Sequence, residues 1–136
     1  MLQIPILSLQ TEKTFMNAVL LVEDSLSQRE MIAEILKEHG WTVSIACDGV
    51  EALEQLQHSR PDLVVLDIVM PRMNGYEVCR RIKSDPKTKN VPVIMCSIKG
   101  EEFDRFWGMR QGADAYIAKP FSPTTLIGTI NQLLSD

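Results

Sequence analysis

The sequence predicts an α/β domain built on a parallel sheet of five strands. Three observations carry this. Ala18–Val22 and Leu63–Leu66 are unbroken apolar runs, too short for helices and without the polar alternation of a half-wet strand. Runs of that kind are strands covered on both faces. Stretches with apolar residues at helical spacing lie between the strand-like runs, so strand and helix alternate five times. Caps and breakers punctuate the alternation, among them Asp48, Arg60-Pro61, Asn74-Gly75 and Ser122-Pro123. Such crossovers are right-handed and place helices on both faces of the sheet.

Composition bounds the function. A chain of 136 residues suits one domain with a core that needs no disulfide or metal staple. The net charge is -4 and no Lys/Arg run exceeds two residues, which argues against a nucleic-acid surface. Cys47, Cys79 and Cys96 form no CxxC pair and have no His at zinc spacing. They are expected to be packed, reduced thiols in a cytoplasmic chain. No apolar run is long enough to cross a bilayer, so no membrane insertion is expected. Met1–Leu9 is apolar but lacks the basic start of a secretory signal.

Taken in order, residues 1–16 show no period and are expected to be an N-terminal extension whose residues 1–15 are dispensable, with Met16 a candidate natural start. The domain is expected over 17–136. Its first strand, Ala18–Val22, ends in Glu23-Asp24; Ser25 or Ser27 then caps a helix, the latter forming a capping box with Glu30. Ile32, Ile35 and Leu36 stripe this helix and His39-Gly40 stops it. Trp41–Ala46 alternates, as a strand near a sheet edge does. Asp48 caps a helix faced by Ala52, Leu53 and Leu56. The central strand ends in Asp67. A helix over Tyr76–Lys83 buries Val78, Cys79 and Ile82, and Val91–Cys96 is a strand ending in Ser97. A helix over Glu101–Gln111 stops at Gly112. Ala113–Ala118 leads to Lys119-Pro120, and a last helix starts at Ser122-Pro123 with Leu126, Ile127, Ile130, Leu133 and Leu134 on one stripe.

In a parallel sheet the ends of these strands share one edge, where ligands bind in open α/β folds. Each end residue has a plain structural reading: Asp67 and Ser97 as caps, Glu23 and Asp24 as helix-dipole acids, Lys119 as a surface lysine. Their convergence argues for chemistry. Three clustered carboxylates resist joint ionisation. A divalent cation with hard oxygen ligands removes that cost, and Mg²⁺ suits such a site because it keeps waters and accepts phosphate oxygens. Asp67 then stays anionic and attacks phosphorus, while Lys119 and Ser97 meet the phosphoryl oxygens.

Leu20-Leu21-Val22-Glu23-Asp24-Ser25, Leu66-Asp67 with Met70-Pro71 and Asn74-Gly75, Ser97, and Gly112-Ala113-Asp114 through Tyr116 to Lys119-Pro120-Phe121 resemble the receiver domain of two-component response regulators. The resemblance covers about Asn17 to Asp136. It implies a flavodoxin-like, doubly wound sheet of order 2-1-3-4-5. It also implies that Asp67 is the phospho-acceptor, that Glu23, Asp24, Asp67 and the Val69 backbone carbonyl hold Mg²⁺, that Ser97 is the switch hydroxyl, that Lys119 binds phosphate and that Tyr116 is the rotating aromatic. The expected partners are a sensor histidine kinase or histidine phosphotransfer domain and a downstream effector, with the chain a monomer or weak dimer. With the chain ending after its fifth helix, the likeness is to single-domain, chemotaxis-type regulators. Ser97–Glu102 and Asp104–Ala113 narrow it to the twitching-motility and phototaxis members.

Two further expectations concern output. Phe103, Phe106, Trp107 and Arg110 follow i, i+3, i+4, i+7 spacing, so one edge is expected to be buried and the remainder to bind a partner. Val69, and Lys99 crowding the approach, are expected to slow phosphate loss, because neither assists an attacking water. A phosphate sink is an alternative that the sequence does not separate from an effector-binding switch. An Mg²⁺-dependent aspartyl-phosphate hydrolase is disfavoured, because such enzymes place a general acid two residues after the nucleophile and Val69 transfers no proton. The chain is therefore expected not to be an enzyme, beyond assisting its own phosphorylation and dephosphorylation.

Overall fold

The structure, a computed structural model, describes residues 17–135; the expected extension over residues 1–16 lies outside them. The elements are β1 (Ala18–Val22), α1 (Leu26–Glu38), β2 (Thr42–Ala46), α2 (Gly49–Leu56), β3 (Leu63–Asp67), α3 (Gly75–Ser84), β4 (Val93–Ser97), α4 (Glu102–Arg110), β5 (Ala115–Ala118) and α5 (Pro123–Leu134). All strand pairs are parallel, in the order β2-β1-β3-β4-β5.

The unbroken apolar runs are explained by two cores. Leu20, Val22, Val64 and Leu66 face α2 and α3, while Val19, Leu21, Leu63 and Val65 face α1 and α5. Successive side chains point to opposite faces, so a strand buried on both must be apolar at every position. All five residues of β3 are buried. Each Val or Leu so buried contributes about 1.5–3 kcal/mol against the entropy of ordering the chain. β2 lies at the edge, and its alternation is met only in part: Val43 is half-buried, but Ile45 is 37% exposed and Ala46 is the buried residue.

Caps set the helix starts. Ser25, not Ser27, caps α1, accepting from Gln28 N, so the Ser27–Glu30 box is not formed. Asp48 accepts from Glu51 N at 2.8 Å, Asn74 from Glu77 N at 3.1 Å and Ser122 from Thr125 N at 3.1 Å. His39 closes α1, its Nδ1 donating to Ile35 O. Cys79 and Cys96 are packed as expected, and burial pushes their thiols up to about 11 and about 12, so they stay neutral. Cys47 is exposed, because it lies beyond the last paired residue of the edge strand.

One expectation fails outright. No edge of the Phe103–Phe106–Trp107–Arg110 stripe is buried: the aromatics are 70%, 56% and 43% exposed, and Gly108 is the buried residue of α4. The helix turns its smallest residue inward because the ring of Tyr116 already fills the space. A Cβ at position 108 would lie 2.8 Å from Met95 Sδ and 3.0 Å from Tyr116 Cδ2.

Candidate functional site

The strand order reverses between β1 and β3: the chain leaves β1 for β2 on one side and reaches β3 on the other. That switch point opens a crevice beyond the strand ends. Glu23 and Asp24 follow β1, and Asp67 ends β3. Their carboxylates offer oxygens all within 4.8 Å of one another. Lys119 follows β5, and its backbone N–H donates to Ser97 O at 2.8 Å, which ties the ends of β4 and β5 together. A cavity of about 490 Å³ stands over the cluster, lined by these four residues and by Met31, Val69, Ile98 and Phe121 among others.

Gly75 brings the first turn of α3 against the acceptor. Its N–H donates to Ile68 O at 2.8 Å, and a Cβ there would lie 2.2 Å from Asp67 O. Asp67 is therefore seated on a tight turn whose backbone cannot retreat.

Charge is unevenly shared. Lys119 Nζ lies 2.7 Å from Glu23 Oε1 and 3.7 Å from Asp67 Oδ1, with all three side chains buried. Glu23 Oε2 also accepts from Ser25 N, so both of its oxygens are engaged by the chain itself. Asp24 is exposed. Burial, and then the Glu23 carboxylate, push Asp67 up to about 6, against the opposing pull of Lys119. A second positive charge placed among these oxygens would relieve that penalty. Hard carboxylate oxygens beside an open, water-sized space fit Mg²⁺.

Ser97 is fully buried and does not line the cavity; its Oγ accepts from Lys99 N at 3.2 Å. The resemblance implies that Tyr116 is the rotating aromatic. Here its ring is already buried at 5% exposure, with its hydroxyl donating to Lys99 O and the Arg105 guanidinium 5.4 Å from its ring centroid. Burial pushes that hydroxyl up to about 12, so it remains a donor at neutral pH. Val69 lines the cavity as expected. Lys99, expected to crowd the approach, does not line it: Ile98 does so from the β4 side, while Lys99 supplies backbone groups to Ser97 and Tyr116. The α4 stripe lies outside the cavity lining.

Sequence reasoning missed three supports. Arg29 Nη1 donates to Glu23 O at 3.0 Å and steadies the acidic turn. Asp114 accepts from Val93 N at 2.8 Å and from Lys83 Nζ at 2.9 Å, pinning β5 and α3 to β4. Arg105 donates to Tyr116 O at 2.9 Å. Each bond joins different elements of the fold, so no periodicity or capping pattern marks them.

A doubly wound parallel sheet with a buried carboxylate, an acidic pair and a lysine at its switch point defines a phosphate-handling signalling module. The chain belongs to the response regulator receiver domain family, whose family model matches residues 19–131. It is 38% identical over 120 residues to Protein PilH of Pseudomonas aeruginosa, spanning 88% of this chain and 99% of that one. It spans about half the length of DNA-binding response regulators that it also matches. Among solved structures it is similar to a putative response regulator of Chloroflexus aurantiacus, with a TM-score of 0.85, 32% identity and coverage of 88% and 98% of the two chains. It is also similar to the receiver domain of a sensor histidine kinase of Pseudomonas aeruginosa with magnesium coordinated in its active-site cleft, at a TM-score of 0.82, 27% identity and 88% and 98% coverage. The chain is thus a receiver domain of two-component phosphorelay signalling. Membership implies interaction with a histidine kinase or phosphotransfer partner. Among the described residues, no helix is long and apolar enough to cross a membrane.

Proposed function

We propose that this chain is a phosphorylation switch and not an enzyme with a substrate of its own. Asp67 accepts a phosphoryl group from a phosphohistidine of a sensor kinase or phosphotransfer domain. The P–N bond breaks as the Asp67 oxygen bonds to phosphorus, and the imidazole keeps the electron pair and takes up a proton. The observation that carries this is the placement of Asp67: buried at the end of the central strand, 3.7 Å from Lys119 and within the acidic cluster.

The residues divide the work. Asp24, Asp67 and Glu23, with the Val69 carbonyl, would hold Mg²⁺, which when bound supplies positive charge to the phosphoryl oxygens. Lys119 is already held by Glu23 and neutralises a second oxygen without reorganising. Ser97 donates its hydroxyl to a third. The ring of Tyr116, packed against Gly108, carries the change to α4. An effector protein reads the exposed Phe103, Phe106, Trp107 and Arg110. The identity to PilH along nearly its whole length supports a place among the single-domain regulators of twitching-motility type.

The test is intact mass after treatment with a small phospho-donor, with and without EDTA. The expected result is one phosphate on wild type, none on Asp67→Asn and none without metal. An adduct that survives either change sinks the assignment.

A further inference from the structure

Among the described residues, Arg72 is the one non-glycine residue with a positive φ, at 68°. A residue with a Cβ rarely adopts that conformation, and a surrounding restraint must hold it there. The Met73 N–H donates to Pro71 O at 2.7 Å and closes a three-residue turn around Arg72. The turn lies in the loop that leaves Asp67 and returns to the start of α3 at Gly75. Backbone strain kept beside a site points to a use there.

The start of α2 supplies the restraint. Arg72 Nη2 donates to Asp48 Oδ2, while the other oxygen of Asp48 caps α2 by accepting from Glu51 N at 2.8 Å. The cap does not need the charge, since Asn caps as well as Asp. The pair with Arg72 does. One residue on, Gly49 packs against the loop: a Cβ there would lie 3.1 Å from Met73 O and 3.2 Å from Met73 Cβ. Met70 and Met73 pack against the core. The loop is thus fixed at Ile68 by the Gly75 N–H, at Met70 and Met73 by packing, and at Arg72 by Asp48. Val69 stands between the first two of these points, so the direction of its carbonyl follows from how residues 70–73 close. Val69 lines the cavity and Arg72 does not, so Arg72 acts at one remove.

We propose that Arg72 is a positioning residue for the cation at the carboxyl edge, acting through the Val69 carbonyl. This rests on the reading of Asp67 as a phospho-acceptor with Mg²⁺ beside it. Hooked to Asp48, Arg72 holds the turn closed, and the closed turn keeps the Val69 carbonyl in the ligand set with Glu23, Asp24 and Asp67. The strain separates this role from a part in folding. Glycine suits a φ of 68° better than arginine does, so Arg72→Gly removes tether and strain together. A residue that only held the fold would lower stability and metal affinity in step.

The experiment is calorimetric titration of the whole chain with Mg²⁺, beside thermal unfolding without metal. Arg72→Gly is expected to unfold at or above the wild-type midpoint, yet to raise the Mg²⁺ dissociation constant about fivefold, the upper end of what an exposed ion pair supplies. Arg72→Lys keeps a cation on the tether and is expected to bind within about twofold of wild type. Asp48→Asn keeps the cap and should weaken binding as much as Arg72→Gly. The double variant should be no weaker than either single, because both remove one contact. In a chain labelled with ¹³C at the Val69 carbonyl, Mg²⁺ should shift that resonance, at about fivefold more metal in Arg72→Gly than in wild type. Unchanged affinity in Arg72→Gly, additive losses in the double variant, or a Val69 resonance that Mg²⁺ does not move would each overturn the proposal. Equal affinity in wild type and Arg72→Gly leaves Asp67 the acceptor. Conversely, wild type that binds Mg²⁺ but takes no phosphate at Asp67, measured by mass, sinks the phosphorylation switch and leaves the role of Arg72 standing.

Discussion

Asp67 is held in the state its chemistry requires at a cost to stability. Burial and the Glu23 carboxylate raise it to about 6 from the ordinary carboxylate value of 3.8. Between those two values the folded chain binds a proton that the unfolded chain does not, so stability rises as pH falls through 6 towards 4 and is lower at neutral pH. The penalty at neutral pH is at most about 3 kcal/mol, from the size of the shift. Asp67→Asn removes the charge and keeps the shape. It is expected to stabilise the metal-free chain by about 1–2 kcal/mol at pH 7.5 and to have no such effect at pH 4, as read by urea unfolding at the two pH values. Equal stability of the two chains at both pH values would show that Asp67 carries no such penalty. Tyr116→Phe deletes only the hydroxyl bound to Lys99 O and is expected to cost about 1 kcal/mol, measured in the same way.

At the scale of elements, glycines set how closely helices approach the sheet. Gly75→Ala is expected to cost more than about 3 kcal/mol, because the new methyl would strike Asp67 O and Ile68 Cα, backbone atoms that cannot yield. It should also weaken Mg²⁺ binding, since any relief displaces Asp67; calorimetric titration checks this. Gly108→Ala is a milder case. Alanine favours the helix by about 1 kcal/mol, while its methyl presses on Met95 and Tyr116. Overpacking of this kind costs about 1–3 kcal/mol, so a net loss of about 1 kcal/mol and a displaced Tyr116 ring are expected. A thermal midpoint above wild type would show that α4 can move outward freely.

For the whole molecule, a cation held at the carboxyl edge by Glu23, Asp24 and Asp67 would join β1 to β3 and relieve their repulsion. Mg²⁺ at a hundred times its dissociation constant is expected to stabilise the chain by about 2.7 kcal/mol, read as a rise in thermal midpoint. Asp24→Asn should remove most of that rise. Below pH 6 the rise should shrink in wild type, because a proton on Asp67 competes with the metal. A rise equal at pH 5 and pH 7.5 would place the cation away from Asp67.

The five strands, the helices between them and the residues at the strand ends were legible in the chain's local pattern, because a strand buried on both faces must be apolar throughout and its first polar residue must emerge at an edge. Cap chemistry settled the starts of α2, α3 and α5 for the same local reason. Contacts between partners distant in the chain left no such local mark. Ser25 prevailed over Ser27 as the α1 cap, because its N–H is taken by Glu23, whose carboxylate is held by Lys119 from the far end of the chain. Lys119 was drawn to Glu23 more closely than to Asp67, a choice between two carboxylates that spacing does not reveal. The stripe on α4 gave the right period and the wrong direction. Periodicity reports that apolar residues share a face, and here Tyr116 had already filled the space inside, so that face was left to the outside.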